Sequence, residues 1–380
     1  MRGSDEIGFS PQGEKTVSSL SQEGALTLLF TTREIDALRL ISLCRYVKEA
    51  DLADCVSADT VETLFFLKLI KRHKASGAIV LRAEGKAILK QAGYDCGDKP
   101  ITYHGAAIER RLRASRFILT AYKAGISSSD FHLTMNDRIR GSNPWGSSRT
   151  IALVRLGDTI YGVHYVCPGI GKISLTDELA ALSNNTAQLD NEKLGLIFTG
   201  ESCADILSEL DSAADSGDSR LITYGEAYRA VTLPVHIVPA NDTGAKQLRI
   251  MSQPDYLKRL TLASLKSAYQ PPPDGFSEFD ATYKGSPFVM AVDLNLRRVD
   301  AAIEKVNAAG LGTVTVVSTI GQANEVIRDR YGKTARVLTL KDSILGTDGE
   351  LKLYEPPNTQ FLTPKGDVID APLIQAHRKA

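Results

Sequence analysis

The side chains of this 380-residue chain that could do chemistry fall into two sets. The first is acidic and flanks a strand pair: Asp280, then Asp293-Leu294-Asn295. Two or three carboxylates and a Lys at the ends of paired strands can hold Mg2+ and activate water against a phosphodiester. Asn295 stands where that Lys would be, with Lys284 and Arg297 as the nearest substitutes, so the set reads as an incomplete site whose acids double as strand-end and helix-capping residues. The second set is basic. In residues 68–90, Lys68, Lys71, Arg72, Lys74, Arg82, Lys86 and Lys90 face only Glu84. Charge of one sign packed so closely suits an anionic partner, and DNA fits before a membrane because no amphipathic anchor accompanies it.

Other chemistries lack their spacing. A covalent DNA-cleaving enzyme needs a Tyr nucleophile beside a metal held by clustered His. His73, His104, His132, His164, His236 and His377 are scattered instead, and none pairs at ligand spacing. There is no GxxxxGK(S/T), no GxGxxG after a strand, no GxSxG and no HExxH. Gly169-Ile170-Gly171-Lys172 is too short for a phosphate loop and reads as a β-turn. Cys44, Cys55, Cys96, Cys167 and Cys203 form no CxxC pair and read as reduced thiols.

The formal charge is zero, with 45 cations and 45 anions, yet the distribution is uneven. Residues 31–125 carry 17 Lys/Arg against 11 Asp/Glu, whereas residues 151–266 carry 10 against 14. With 43% apolar and 24% charged residues the chain has an ordinary globular composition, which excludes disordered, collagen-like and coiled-coil classes. The apolar runs at 194–198 and 288–292 fall far short of the roughly 20 residues that span a bilayer. Residues 2–15 are polar and lack the apolar core of a signal peptide, so a cytoplasmic protein with no membrane partner is expected.

The elements that must position these residues begin at Thr31 and Glu34, whose capping-box spacing predicts a first helix ending near Tyr46. Residues 48–56 predict a short second helix, and Ser57 caps a third with Val61, Leu64, Phe65 and Leu67 on its apolar face. The period then shortens: residues 70–74 and 78–81 around Ala75-Ser76-Gly77 read as a hairpin, followed by a helix over 84–92. Three short helices closed by a basic hairpin are the winged helix-turn-helix plan, in which the third helix enters the major groove and the wing lies on phosphates. The third helix offers only Asp59, Thr60, Glu62, Thr63 and Lys68 as polar positions, a poor set of base readers. Winged helices also serve as docking modules, and that alternative stays open.

A long helix from about residue 104 to Gly125 carries Arg110, Arg113 and Arg116 and would extend the basic surface; His104 at its start reads as a capping or core residue. Residues 127–150 read as a loop. Two strands around Gly157-Asp158, a helix over 177–182, a strand over 194–199, a helix over 202–210 and a strand over 221–223 then give a β-β-α-β-α-β order. Residues 233–238 and 246–251 read as further strands and 254–267 as a helix. After Pro271-Pro272-Pro273 the same order recurs: strands 279–283 and 287–293, helix 297–309, strand 313–318, helix 321–331 and strand 337–340. The expected fold is mixed α/β. Its parts are a flexible arm over 1–30, a winged helix with its long basic helix over 31–125, and α/β domains over 149–267 and 274–380.

Thr32-Arg33-Glu34-Ile35, the run Leu81-Arg82-Ala83-Glu84-Gly85-Lys86-Ala87-Ile88-Leu89, the His104-Gly105 helix leading to Ala124-Gly125-Ile126, and the α/β region behind them together resemble the replication-relaxation family. The resemblance covers residues 30–240 and rests on no single diagnostic motif. It implies a DNA-binding role in plasmid replication or conjugative transfer, α/β units resembling a degenerate restriction-endonuclease-like fold, and a Gram-positive host. The leading expectation is an accessory or initiator-like DNA-binding protein of a mobile element. It would work on double-stranded DNA with relaxosome or replication proteins, as a monomer or homodimer and with no cofactor or metal. Lys68, Lys71, Arg72, Lys74, Arg82, Lys86, Arg110, Arg113 and Arg116 would make its DNA contacts. The alternatives are a Mg2+-dependent nickase using Asp280 and Asp293 beside Asn295, and a transcription regulator with a ligand-sensing α/β domain.

Overall fold

Thr31 and Glu34 are used as their spacing predicts: in the computed structural model the Glu34 carboxylate accepts the Thr31 N–H at 2.6 Å, and helix α1 (Thr32–Cys44) follows. The structure describes residues 17–19, 28–94, 105–127, 130–132, 150–166, 170–171, 193–211, 221–222, 224–346, 361–362 and 368–369. His104, Cys96, Cys167, the helix expected over 177–182, the Gly169 and Lys172 ends of the expected turn, and most of the 1–30 arm and 127–150 loop lie outside them. The chain divides into two compact units, Met1–Leu119 and Thr120–Ala380.

In the first unit, β1 (Val17–Ser19) and β2 (Leu28–Phe30) pair antiparallel, with Val17 opposite Phe30. Part of the expected arm is therefore strand, because Leu28-Leu29-Phe30 is an apolar run that ends in a buried ring. Helix α2 (Glu49–Val56) is separated from α3 (Ala58–Phe66) by Ser57 alone. Ser57 turns the chain at φ +89°, and its hydroxyl accepts the Thr60 N–H at 3.3 Å. Strands β3 (Ile70–Arg72) and β4 (Ile79–Leu81) form the hairpin in the register Ile70 to Leu81. Val47, between α1 and α2, adds a single antiparallel bridge to Ile79. Helix α4 (Ala83–Gln91) starts beside this hairpin. Gly85 lies against the Leu69 carbonyl, where any Cβ would collide, which gives the glycine of the 81–89 run a packing reason. Helix α5 (Ala106–Lys123) runs past the unit's last residue, Leu119, and ends ahead of Gly125, which takes φ +84°.

The second unit is built on two mixed sheets. The first has the order β11-β9-β7-β6-β5, from β5 (Phe131–His132), β6 (Thr150–Leu156), β7 (Thr159–Tyr165), β9 (Lys193–Thr199) and β11 (Val235–Ile237). β6 and β7 are an antiparallel hairpin, and β9 and β11 add in parallel. A side pair, β8 (Ile170–Gly171) with β10 (Leu221–Ile222), stands apart from that sheet. The strand expected over 221–223 therefore does not complete the sheet; Val235–Ile237 does. Helices α6 (Cys203–Asp211) and α7 (Tyr224–Ala230) lie between β9 and β11.

The strand expected over 246–251 is instead helix α8 (Asp242–Met251). Asn241 caps it by accepting the Gly244 N–H at 3.2 Å, and Ala245, Leu248 and Met251 are buried at helical spacing. Helix α9 (Tyr256–Leu265) follows.

The second sheet, β12-β13-β14-β15, repeats the connectivity: β12 (Ala281–Tyr283) and β13 (Ser286–Met290) are antiparallel, then β14 (Thr315–Ser318) and β15 (Arg336–Thr339) join in parallel. Helix α10 (Leu296–Ala309) connects β13 to β14. A helix α11 of three segments, Ile320–Gln322, a π turn Ala323–Ile327 and Arg328–Tyr331, connects β14 to β15. Short pieces follow: α12 (Asp342–Leu345), then β16 (Phe361–Leu362) paired with β17 (Val368–Ile369). Leu196, Phe198, Val235 and Ile237 pack in one hydrophobic cluster with Val289, Val299, Ala302 and Val316, so the two α/β stretches share a core. Each of the Leu, Val, Ile and Phe side chains among these contributes about 1.5–3 kcal/mol by leaving water.

Gly244 lies in the first turn of α8, where a methyl group would overlap the Pro239 carbonyl oxygen. Gly321 also lies in a first helical turn, but its nearest neighbour would be Thr243 Oγ1 at 3.5 Å. Gly244→Ala is expected to destabilise the protein by about 1–3 kcal/mol or more, while Gly321→Ala leaves stability unchanged or raised. Thermal denaturation of the two variants side by side checks this, and equal midpoints would contradict the close approach at Gly244.

Candidate nucleic-acid interface

The cations on and around the β3–β4 hairpin are not equivalent. Lys71 projects from β3 and Lys74 from the turn, and Lys68 stands just before the hairpin in a left-handed conformation at φ +57°. All three are exposed, and none meets an acid among the described residues. Arg72 differs. Its Nε and Nη2 donate to the two Glu49 oxygens at 2.8 Å each, and its guanidinium lies 4.4 Å above the Phe65 ring. That fork ties the hairpin to α2, and it holds the Arg72 guanidinium above its ordinary pKa through hydrogen bonding and charge. Arg82 and Lys86, at and after the start of α4, are half-buried.

The arginines of α5 are also engaged. Arg113 lies 3.7 Å from Glu109 one helical turn back, and Arg116 lies 3.8 Å from Asp51 of α2. The Arg110 side chain lies outside the described residues. Of the cations expected to contact DNA, Lys68, Lys71 and Lys74 are exposed with no acid beside them among the described residues.

Helix α3 offers less to a base than its composition suggests. Thr60 is buried, with Oγ1 3.0 Å from the Ser57 hydroxyl, and the Thr63 hydroxyl donates to its own helix at Asp59 O, 2.8 Å away. Besides Ala58, what remains exposed on α3 is Asp59, Glu62 and Phe66, the last 84% exposed. The sequence reading passed over Phe66 because its neighbour Phe65 carries the helical period; a step of about 100° places the next ring outside.

The acids of the second unit are spent inside the fold. Asp280 Oδ2 accepts the Met290 N–H at 2.7 Å and the Arg298 Nη1–H at 2.8 Å, while Arg298 Nη2 donates to the Met290 carbonyl. Burial raises the Asp280 pKa, with Arg298 pulling against it. Asp293 is 2% exposed; its carboxylate accepts the Asn295 N–H at 3.2 Å and the Tyr256 hydroxyl at 3.1 Å. Its carbonyl accepts His236 Nδ1–H at 3.1 Å and Gln247 Nε2–H at 2.9 Å. Asn295 caps α10 by accepting the Arg298 N–H at 3.4 Å. Arg298, Tyr256 and His236 are the partners that sequence reasoning missed, since they reach these acids from elsewhere in the chain. Among the described residues no three His, Cys, Asp or Glu side chains are grouped to hold a metal ion, and no helix is long and apolar enough to cross a membrane. Comparison with known proteins returns no matching family model, no curated relative and no solved structure of similar fold.

Burial holds the His236 imidazole below its ordinary pKa of 6.5, against the pull of the Asp293 charge and its carbonyl. The folded chain keeps the ring neutral over a range in which the unfolded chain protonates it. Stability from this group is therefore full above the unfolded value and is lost as pH falls from there toward the folded one, at up to about 1.4 kcal/mol per pH unit. Chemical denaturation between about pH 7.5 and 5 should show a shallower loss for His236→Gln than for the parent protein. Parallel curves would mean that His236 does not titrate on unfolding.

Proposed function

We propose that residues 31–94 bind double-stranded DNA as a winged helix-turn-helix, gripping phosphates with the β3–β4 hairpin. The observation that carries this reading is the placement of Lys68, Lys71 and Lys74, exposed and unopposed by acids, on and beside a hairpin that directly follows two helices joined through one residue. The Val47 bridge adds a third strand position to that hairpin, as the winged plan has. Asp59 and Glu62 on α3 repel phosphates, so the helix approaches the groove weakly and the wing dominates. Binding of this kind tolerates many sequences and depends on salt. The likeness of 30–240 to the replication-relaxation pattern supports a role in plasmid replication or transfer, with accessory rather than cutting work, because Asp280 and Asp293 are committed to Arg298 and Tyr256.

A second reading rests on Phe66. A ring 84% exposed at the end of a helix whose exposed acids, Asp59 and Glu62, precede it suits protein docking, including a second copy of this chain. Under that reading, Phe66→Ser leaves the melting temperature in place and shifts the sedimentation behaviour toward a smaller species.

With three phosphate contacts, a plot of log K against log salt should have a slope of about −2.7, and Lys71→Ala with Lys74→Ala together should flatten it by about 1.8. Arg72→Ala should instead leave the slope alone and move the melting temperature only slightly, since its partners are Glu49 and Phe65 and the exposed pair adds little to stability. Fluorescence anisotropy on duplexes of unrelated sequence, across a salt series, measures both. An unchanged slope in the double variant would remove the wing from the DNA contact and leave the docking reading.

A further inference from the structure

Among the described residues Phe66 is more exposed than the other outward-facing apolar side chains, Leu311 and Ile320. It is the last residue of α3, and the helix end that carries it is closed by hydrogen bonds. The Lys68 N–H donates to the Phe65 carbonyl and the Leu69 N–H to the Leu64 carbonyl, each at 3.0 Å, with Lys68 at φ +57° in the place usually taken by glycine. Residues 67–69 alone join α3 to β3, and the Arg72 guanidinium over the Phe65 ring holds β3 against that end of the helix. Phe65 thus has a partner on its ring, while Phe66 leaves most of its surface to solvent.

The charges around this ring lie on one side. No Asp or Glu occurs from residue 63 to residue 83, a stretch that holds Lys68, Lys71 and Lys74. The exposed acids of α3, Glu62 and Asp59, lie one and two turns from Phe66 toward the start of the helix, and they repel phosphate there. An anionic chain therefore reaches Phe66 from the side of Lys68 and the hairpin.

A protein partner gains little from one ring, since a stable interface takes about 800 Å2 from each side. One nucleobase needs only one ring, and stacking on it tolerates any base. The bases of continuous duplex already stack on one another, so the ring finds a free base face only where a base is unpaired. We propose that Phe66 stacks on an unpaired base beside a duplex whose phosphates lie on Lys68, Lys71 and Lys74, so that the DNA bound by preference carries a junction between double and single strand. This rests on the DNA-binding reading above and adds the class of DNA to it.

Fluorescence anisotropy on the full chain tests it with a blunt duplex and the same duplex carrying a short single-stranded overhang on either strand. An overhang duplex should bind about fivefold or more tightly than the blunt one. Phe66→Ala, a change at an exposed side chain, should keep the melting temperature, the salt slope and the affinity for blunt duplex, and lose the preference for the overhang; Phe66→Trp should retain that preference. A fluorescent adenine analogue placed as the first unpaired base should be quenched by the parent chain and not by Phe66→Ala. Equal binding of blunt and overhang duplexes by the parent chain overturns the proposal and leaves the DNA reading standing. A preference that survives in Phe66→Ala, or an equal loss of affinity for blunt duplex, overturns the stacking role of the ring; absence of binding to any duplex overturns the DNA reading and this proposal together.

Discussion

The second unit depends on the turn at residues 293–295. There the edge strand β11 of the first sheet meets the chain leaving β13 of the second, and the Ile237 N–H donates to the Leu294 carbonyl at 3.3 Å. One residue earlier, the Asp293 carbonyl takes hydrogen bonds from both His236 and Gln247. Gln247 also donates to the Ile237 carbonyl at 2.9 Å, so a single side chain of α8 spans the two sheets. A carboxylate buried to this degree is tolerated only when its oxygens are bonded, and Tyr256 and the Asn295 backbone do that. The apolar cluster on either side supplies the bulk of the stabilisation but little geometric discrimination. The polar turn fixes which residue of β11 faces which residue of the loop.

Charge is handled differently in the two units. In the second, buried acids are matched at short range: Asp280 with Arg298, Asp293 with its donors. In the first, charge is spread over the surface and partly cancelled there, with Arg72 on Glu49, Arg113 on Glu109 and Arg116 on Asp51. Exposed pairs of this kind add little to stability. Their effect is on the surface field, in which Lys68, Lys71 and Lys74 stand without a neighbouring acid while α3 presents Asp59 and Glu62.

Local signals carried the sequence reading far. Thr31 with Glu34, Ser57 before α3, the shift of period at Ile70 and the recurring hairpin-then-parallel order are each set by neighbours a few residues apart. The mixed α/β class follows from them. The failures are non-local. Residues 246–251 read as alternating because Gln247 and Arg249 are polar, but Gln247 is fully buried and earns its place through bonds to Ile237 and Asp293. Asp280 and Asp293 were legible as unusual acids. Their roles were not, since the donors that occupy them come from Tyr256, His236 and Arg298, which no spacing rule connects to them. The pairing of Arg72 with Glu49 was illegible for the same reason, that partner lying 23 residues back.

Two aromatic rings support the inter-sheet turn: Tyr161 packs edge-on against His236 with ring centroids 5.4 Å apart, and the Tyr256 hydroxyl donates to Asp293. Polar networks of this kind are stable when every member is satisfied and costly when one is not. Tyr256 occupies one Asp293 oxygen and the Asn295 backbone the other, so losing either donor leaves a buried carboxylate oxygen without its bond, and the turn holds only while α9, the loop before α10 and β11 keep their places together.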